Sequence, residues 1–567
     1  MPVHVETNIG DRVGHLPGRQ KMRLGMLLPM LVALLVCMPL IAVVWLAFFP
    51  SENIWPHLFS TVLPDYVLNT FLLMAGVCIG TLLIGVSTAW VVTHYEFPGR
   101  KLMAWALLLP FAYPSYVIAY VYTDLFEYAG PVQTLLRDWF GWRNARDYYF
   151  PSIRSLGGAV IMMVLVLYPY VYLLARAAFL EQSASVLDAA RILGSKRWAR
   201  FFRIALPMAR PAIAVGVAMA LMETLNDYGT VDYFAVRTLT AGIYDVWLGM
   251  GNLGGGAQIA CLLLLLVIVL VGLEKFSRKK QHHYQPVSSR LQHLQRIKTS
   301  RLSGSLLLIA CVLPIIAGFV VPSTVLFIYA VENFSSSWTP QFRRIALSSI
   351  SLSFVAAIVT VAVGILLSYS KRIYDSRRLH TWINVSSLGY AVPGPVLAIG
   401  VMIPLAAFDN RVDALMREWF GFSSGLLLSG TLFALVFAYT VRFLAVAFGS
   451  IDASMKKIGP SMDDAGRVLG KSRLQILTSI HLPLMRSGLL TASLVVFVDC
   501  MKELPATLVM RPFGFDTLAT HVYQYASDEL LAESALAALL IVLTGLIPVI
   551  LLSRSIDISR SRRDTAE

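Results

Sequence analysis

Charge is scarce in this chain. Asp, Glu, Lys and Arg supply only 14% of 567 residues, against 57% hydrophobic residues and a mean hydropathy of +0.67. Soluble domains carry about 25% charged residues, so a water-soluble globular fold is excluded. Cysteine is scarce too. Cys37, Cys78, Cys261, Cys311 and Cys500 all fall in apolar runs, which leaves no disulfide framework or cysteine metal cluster and makes them small core residues. There is no HExxH and no nucleophile elbow, and none of the ten histidines lies deep in an apolar run beside a metal-ligating neighbour. Neither an enzyme nor a bound metal is expected. One string, DDAGRVLGKS (463–472), comes within a residue of the nucleotide loop G-x-x-x-x-G-K-[ST], but the required first glycine is Ala465 and the preceding SMDD is no buried strand. No other phosphate-cradling string occurs. No cofactor is therefore expected here, and ATP, if used, is bound by another subunit.

What is abundant is apolar sequence in runs of about 20 residues or more, enough to cross roughly 30 Å of hydrocarbon. Twelve spans are predicted, near 26–49, 67–93, 102–122, 156–179, 211–230, 257–273, 305–330, 346–369, 383–407, 425–449, 487–510 and 533–553. The first is too long for a cleaved signal and lacks an A-x-A-like end, so it reads as a retained anchor. Segment 1–25 carries Arg12, Arg19, Lys21 and Arg23, whereas 50–65 has no Lys or Arg. The positive-inside rule then puts both termini, the dense set from Arg191 to Arg210 and the basic segment 274–302 in the cytoplasm. Arg343 and Arg344 read against the rule, as do four Arg in the external 123–155, where Asp124, Glu127, Asp138 and Asp147 offset them. The net charge of +14 flanks apolar spans and suits anionic lipid headgroups; nucleic acid is not an expected partner.

The chain repeats itself. RILGSKRWARFFRIALPMAR (191–210) superposes without a gap on RVLGKSRLQILTSIHLPLMR (467–486), at the offset of 276 that separates Pro207 from Pro483. LLRDWFG (135–141) matches LMREWFG (415–421), AYPSYV (112–117) matches AVPGPV (391–396), and TLTAGIY (238–244) matches TLATHVY (517–523). Matches at polar, Gly and Pro positions in the same order are the mark of a duplication. The organisation expected is a cytoplasmic segment 1–25, a first membrane domain 26–273, a basic linker 274–302, a second membrane domain 303–553 and a cytoplasmic tail 554–567. At the place of Gly-Lys-Ser the first copy reads Gly-Ser-Lys, so the nucleotide-like string is incidental.

Each copy has the form D-A-[AG]-R-[IV]-L-G, nine residues, then I-x-L-P: Asp188, Ala189, Ala190, Gly194, Ile204, Leu206 and Pro207, and Asp464, Ala465, Gly466, Gly470, Ile480, Leu482 and Pro483. This resembles the coupling-loop signature, or EAA motif, of permease subunits in binding-protein-dependent ABC importers. Asp replaces the usual Glu, and Gly466 in place of the second Ala is expected to weaken its helix by about 1 kcal/mol. A short helix over 183–193, a turn at Gly194 able to take the left-handed C-cap conformation, and a second helix before Pro207 would form a lever standing out of the membrane. The resemblance implies an all-α polytopic protein of two six-helix halves, of the type I importer kind. It further implies two copies of an ABC ATPase on the cytoplasmic side, a substrate-binding protein on the outer face, and a bacterial cytoplasmic (inner) membrane location.

METLNDYGTVDYF (222–234) and VDCMKELPATLVMRPF (498–513) follow the two loops. At the same offset Glu223 meets Asp499 and Asp227 meets Glu503, which predicts two i, i+4 acidic pairs on one face of related helices. A carboxylate in a membrane costs at least ~2.5 kcal/mol and normally faces water or a counter-ion. Lining a substrate path and pairing with Lys502 or Arg511 are both open readings. With TDLFEYAGPVQ (123–133), these strings look like ferric-iron permeases of the fused, two-copy kind. Ferric iron is thus the first expectation, since a hard cation prefers oxygen donors. Thiamine, polyamine, sulfate, molybdate or phosphonate permeases of the same architecture are alternatives. So is an ion-driven twelve-helix secondary transporter, in which the duplicated loop would have no task.

Overall fold

The computed structural model describes residues 19–182, 190, 192–279, 296–374 and 376–564. Eleven helices there are long and apolar enough to cross a membrane, from Leu27–Phe48 to Leu531–Ile550. A twelfth span results if Arg100–Ala112 and Ser115–Phe140, bent by 90°, count as one. Helices dominate because an apolar solvent forces each backbone N–H and C=O to be satisfied within its own segment. The one strand pair among the described residues joins Tyr95–Glu96 in parallel to Ile297–Lys298, fastening the end of the basic linker to the first half.

Two predicted spans are corrected. The third, 102–122, is broken: a 3₁₀ turn Leu109–Ala112 runs into Tyr113 and Pro114, and the next helix starts at Ser115. The ninth, 383–407, is a separate short helix Arg377–Ser386, a 3₁₀ turn Ser387–Ala391, and a long helix Gly394–Phe420. Both breaks fall on the duplicated AYPSYV and AVPGPV strings. Pro114 and Pro393 cause them by lacking an N–H and pushing the preceding residue out of the helical region.

The halves are intertwined. The first long helix, Arg19–Phe48, packs on Gly394–Phe420 and Arg377–Ser386 of the second half as well as on Leu253–Lys279 of its own. Reciprocally, Arg301–Ile315 and Val321–Glu332 lean on the 100–126 region of the first half. Close approach requires glycine at both crossings: a Cβ on Gly400 would lie 2.3 Å from the Pro39 carbonyl oxygen, and one on Gly318 would lie 3.0 Å from that of Leu165.

Candidate functional site: a charged cavity between the halves and two protruding loops

The duplication is visible in three dimensions. In each half a short helix (Arg197–Arg200; Arg473–Ile476) passes through a π-turn (Phe201–Ala205; Leu477–His481) into a 21-residue helix (Leu206–Asn226; Leu482–Lys502). Pro207 and Pro483 therefore do not mark the start of a span, as expected from sequence. Each sits in the first turn after a π-turn, where the widened coil absorbs the missing N–H. Ile204, Leu206, Ile480 and Leu482 lie half-buried on these continuous helices.

Both helices end where the acids are. Asp227 and Glu503 are the first extended residues beyond Asn226 and Lys502, so they do not share a helix face with Glu223 and Asp499 as the i, i+4 spacing predicts. Each instead caps the short helix that follows. Thr230 N donates to Asp227 Oδ1 at 2.8 Å, and Ala506 N donates to Glu503 Oε1 at 3.1 Å. Asp227 also accepts from the hydroxyls of Thr230 and Ser115.

All four carboxyl residues nevertheless line one cavity of about 130 Å³ between the halves, together with Tyr170, Tyr390, Arg442 and Lys502. Among the described residues, Glu223 and Asp499 make no hydrogen bond or ion pair, so their oxygens are the ones on offer to the cavity. The expected counter-ions are corrected. Arg511 pairs with Asp516, and Lys502 donates to the Phe111 carbonyl at 3.0 Å. The cation beside Glu503 is Arg442, buried in Leu432–Met455, with Nη1 3.4 Å from Glu503 Oε1. The same Nη1 donates at 2.8 Å to Asn226 Oδ1 of the first half, which also accepts from Gly394 N at 2.6 Å. Sequence reading missed Arg442, although a single Arg inside the apolar run FALVFAYTVRFLAVAFG was a signal in plain view.

In the loops, Asp188 and Ala189 lie outside the described residues, as does most of the predicted helix 183–193; Ala190 is buried and helical. In the second copy the helix spans Pro460–Val468. Gly194 and Gly470 have φ of +75° and +73°, and the N–H beyond each closes the turn: Ser195 N to Ala190 O, and Lys471 N to Gly466 O, both at 3.0 Å. The Gly-Lys-Ser string is that turn, and Ser472 caps the next helix through Gln475. Gly466 is buried, and a Cβ there would stand 3.0 Å from Ile476 Cγ1 and 3.2 Å from Ile480 Cδ1. It brings the two loop helices together, so the expected weakening is offset by closer packing.

Asp464 and Ala465 are exposed, with Asp464 in a surface pair to Arg467. Asp463, unremarked in the sequence, holds the loop to the membrane body: Arg372 Nε lies 2.8 Å and His481 Nε2 2.6 Å from its carboxylate. Burial alone would push the Asp463 carboxyl up, but hydrogen bonds from Arg372 and His481 hold it below the usual carboxylate range. Large apolar side chains crown each turn at matched positions: Ile192, Leu193 and Trp198 in the first copy, Val468, Leu469 and Leu474 in the second, all highly exposed.

Residues 81–282, which include the first loop and its cavity helix, match the family of the binding-protein-dependent transport system inner membrane component. The chain carries a binding-protein-dependent permease domain. Along its length the permease is 26% identical to the Fe(3+)-transport system permease protein FbpB 2 of Haemophilus influenzae, over 93% of this chain and 97% of that one. It is also 28% identical to the sulfate transport system permease protein CysW of Escherichia coli, over 44% of this chain and 89% of that one. A 28% identity to the molybdenum transport system permease protein ModB of the same organism covers 33% of this chain and 80% of that one. These relatives are transport permeases, and the likeness to FbpB 2 spans both halves of the permease.

Proposed function

We propose that this permease conducts a hard, multiply charged cation, ferric iron first, through the cavity between its halves. The observation that carries this reading is the pair of uncommitted carboxylates, Glu223 and Asp499, brought from symmetry-related helices to one small cavity. Asp227 and Glu503 hold the kinks and add negative charge, so four acids face two cations. A volume of about 130 Å³ equals the share of about four waters and lies under the ~300 Å³ of pockets for drug-sized ligands. It suits an ion better than thiamine or a polyamine. The end-to-end likeness to a ferric-transport permease supports the same choice. Arg442 and Lys502 are what favour the other reading, an oxyanion such as sulfate or molybdate.

Coupling to ATP rests on the loops. Apolar crowns in water are unfavourable unless a partner covers them, and matched crowns on two pseudo-symmetric loops suit two copies of one ATPase subunit. Asp464, Ala465 and, by the duplication, Asp188 and Ala189 would meet that partner, with a substrate-binding protein on the opposite face. N- and C-termini are read as cytoplasmic, in a bacterial inner membrane. An ion-driven transporter would leave the crowns without a task.

The test is uptake of radioactive iron, sulfate and molybdate by vesicles holding the whole complex. Glu223→Gln with Asp499→Asn should cut iron uptake by at least about tenfold while the amount of folded complex is kept. Full iron uptake in that double variant would overturn the cation path. Loss of sulfate or molybdate uptake in Arg442→Gln, with iron never transported, would establish the oxyanion.

A further inference from the structure

The helix Ser115–Phe126 leaves the cavity and runs away from the loops, toward the face where Arg154 begins the helix that returns to them. Along one side of it, at i, i+4 and i+7, stand Tyr116, Tyr120 and Thr123, which are 4%, 1% and 1% exposed. The hydroxyls of Tyr116 and Tyr120 have no hydrogen-bond partner, and that of Thr123 is turned to Tyr233. Burying one hydroxyl unpaired is unfavourable; two on successive turns of one helix face call for a reason.

Their surroundings supply one. Tyr116 packs beside Tyr120 with ring centroids 5.8 Å apart, and Tyr120 meets Tyr233 edge-on at 4.4 Å. The Tyr120 hydroxyl is within electrostatic reach of both Asp227, in the cavity, and Tyr523, from the second half. Tyr523 donates to Asp232 Oδ2 at 2.6 Å and lies 3.4 Å from the hydroxyl of Tyr228, a cavity residue. At the far end, Arg154 covers the Tyr233 ring and is held by Glu127 and Glu529 at 2.5 and 3.1 Å. Hydroxyl and carboxylate oxygens are thus placed between the cavity, at Tyr116 and Tyr228, and the ion-paired Arg154.

We infer that the hydroxyls of Tyr116, Tyr120 and Thr123, with Tyr523 and Asp232, form a second binding station for a hard, multiply charged cation between the outer mouth and the cavity. It rests on the cation reading above. An ion here would exchange water ligands for neutral hydroxyl oxygens and one carboxylate, a weaker set than the cavity's, so it is passed inward and not trapped. The absence of internal partners leaves the Tyr116 and Tyr120 oxygens free to face an ion.

The test uses the whole complex with Tyr116→Phe, Tyr120→Phe and Thr123→Val combined. Because the two tyrosine hydroxyls hold nothing inside the protein and Thr123 gives up one hydrogen bond to Tyr233, the variant should melt within a few degrees of the unmodified complex. Iron uptake in vesicles should fall by at least about tenfold, and tyrosine-sensitised emission of added terbium, a hard trivalent probe, should drop. Tyr120→Phe alone should show a smaller loss of both signals and remains available if the triple variant folds poorly. Uptake by the unmodified complex, with unchanged uptake and terbium emission in the variants, would overturn the station and leave the iron reading intact. Absence of iron uptake in the unmodified complex, with terbium emission still lost in the variants, would sink iron and keep a station for another hard cation.

Discussion

Arg442 is the residue on which the cavity's electrostatics turn. Its guanidinium bridges Glu503 of its own half and Asn226 of the other, inside a site where neither partner can turn to bulk water. Removing one member of such a pair strands the other. Arg442→Ala is expected to lower stability by roughly 3 to 5 kcal/mol, and adding Glu503→Gln should restore part of it. Thermal unfolding of the four members of that cycle in detergent checks this; additive effects would show that the pair is not coupled. Gly466 teaches a related lesson. Read along the chain it is a poor helix former, yet its lack of a side chain is what admits Ile476 and Ile480.

At the scale of the element, each protruding loop is two helices joined by one left-handed glycine. Gly470→Val places a branched side chain at a φ of +73°, at a cost of about 1 to 3 kcal/mol, although nothing lies within 4 Å to clash with it. The expected outcome is a misdirected second helix, read as loss of ATP-driven transport with the spans intact; normal transport with both Gly194 and Gly470 replaced would refute it. The second loop also has a pH dependence. Asp463 has its folded-state pKa depressed by Arg372 and His481, so its contribution is present above the ordinary carboxylate value of about 4 and is lost as pH falls below that. Amide exchange in 460–480 should accelerate over that acidic window, and Asp463→Asn should abolish the dependence. The first copy has Leu187 and Ala205 at the places of Asp463 and His481 and should show no such response.

At the scale of the molecule, the halves do not stand side by side as two beads. The first helix of each crosses onto the other, with Gly400 against Pro39 and Gly318 against Pro110 and Leu165. Gly400→Val should push the first helix off the second half and cost about 1 to 3 kcal/mol. Gly449→Ala, where nothing lies within 4 Å, is the control that should melt normally. Equal melting of the two variants would refute the crossing.

The sequence by itself determined the order of the spans and, to within one, their number, together with the duplication and the turns of the protruding loops, because hydrophobic run length, period and glycine or proline placement act locally and need no knowledge of neighbours. It also found the four acids, since symmetry at one offset is a property of the string. It misjudged where helices break, because Pro114 and Pro393 end a helix only when the turn before them can be packed, and Pro207 and Pro483 are tolerated once a π-turn takes up the strain. Which acids are committed and which are open, that Arg442 and not Arg511 answers Glu503, and that the Tyr116 and Tyr120 hydroxyls lie buried without partners were decided only in the tertiary structure. Those facts depend on which side chains from the other half arrive within 3 to 4 Å, and a duplicated sequence states what each half repeats without stating how the halves meet.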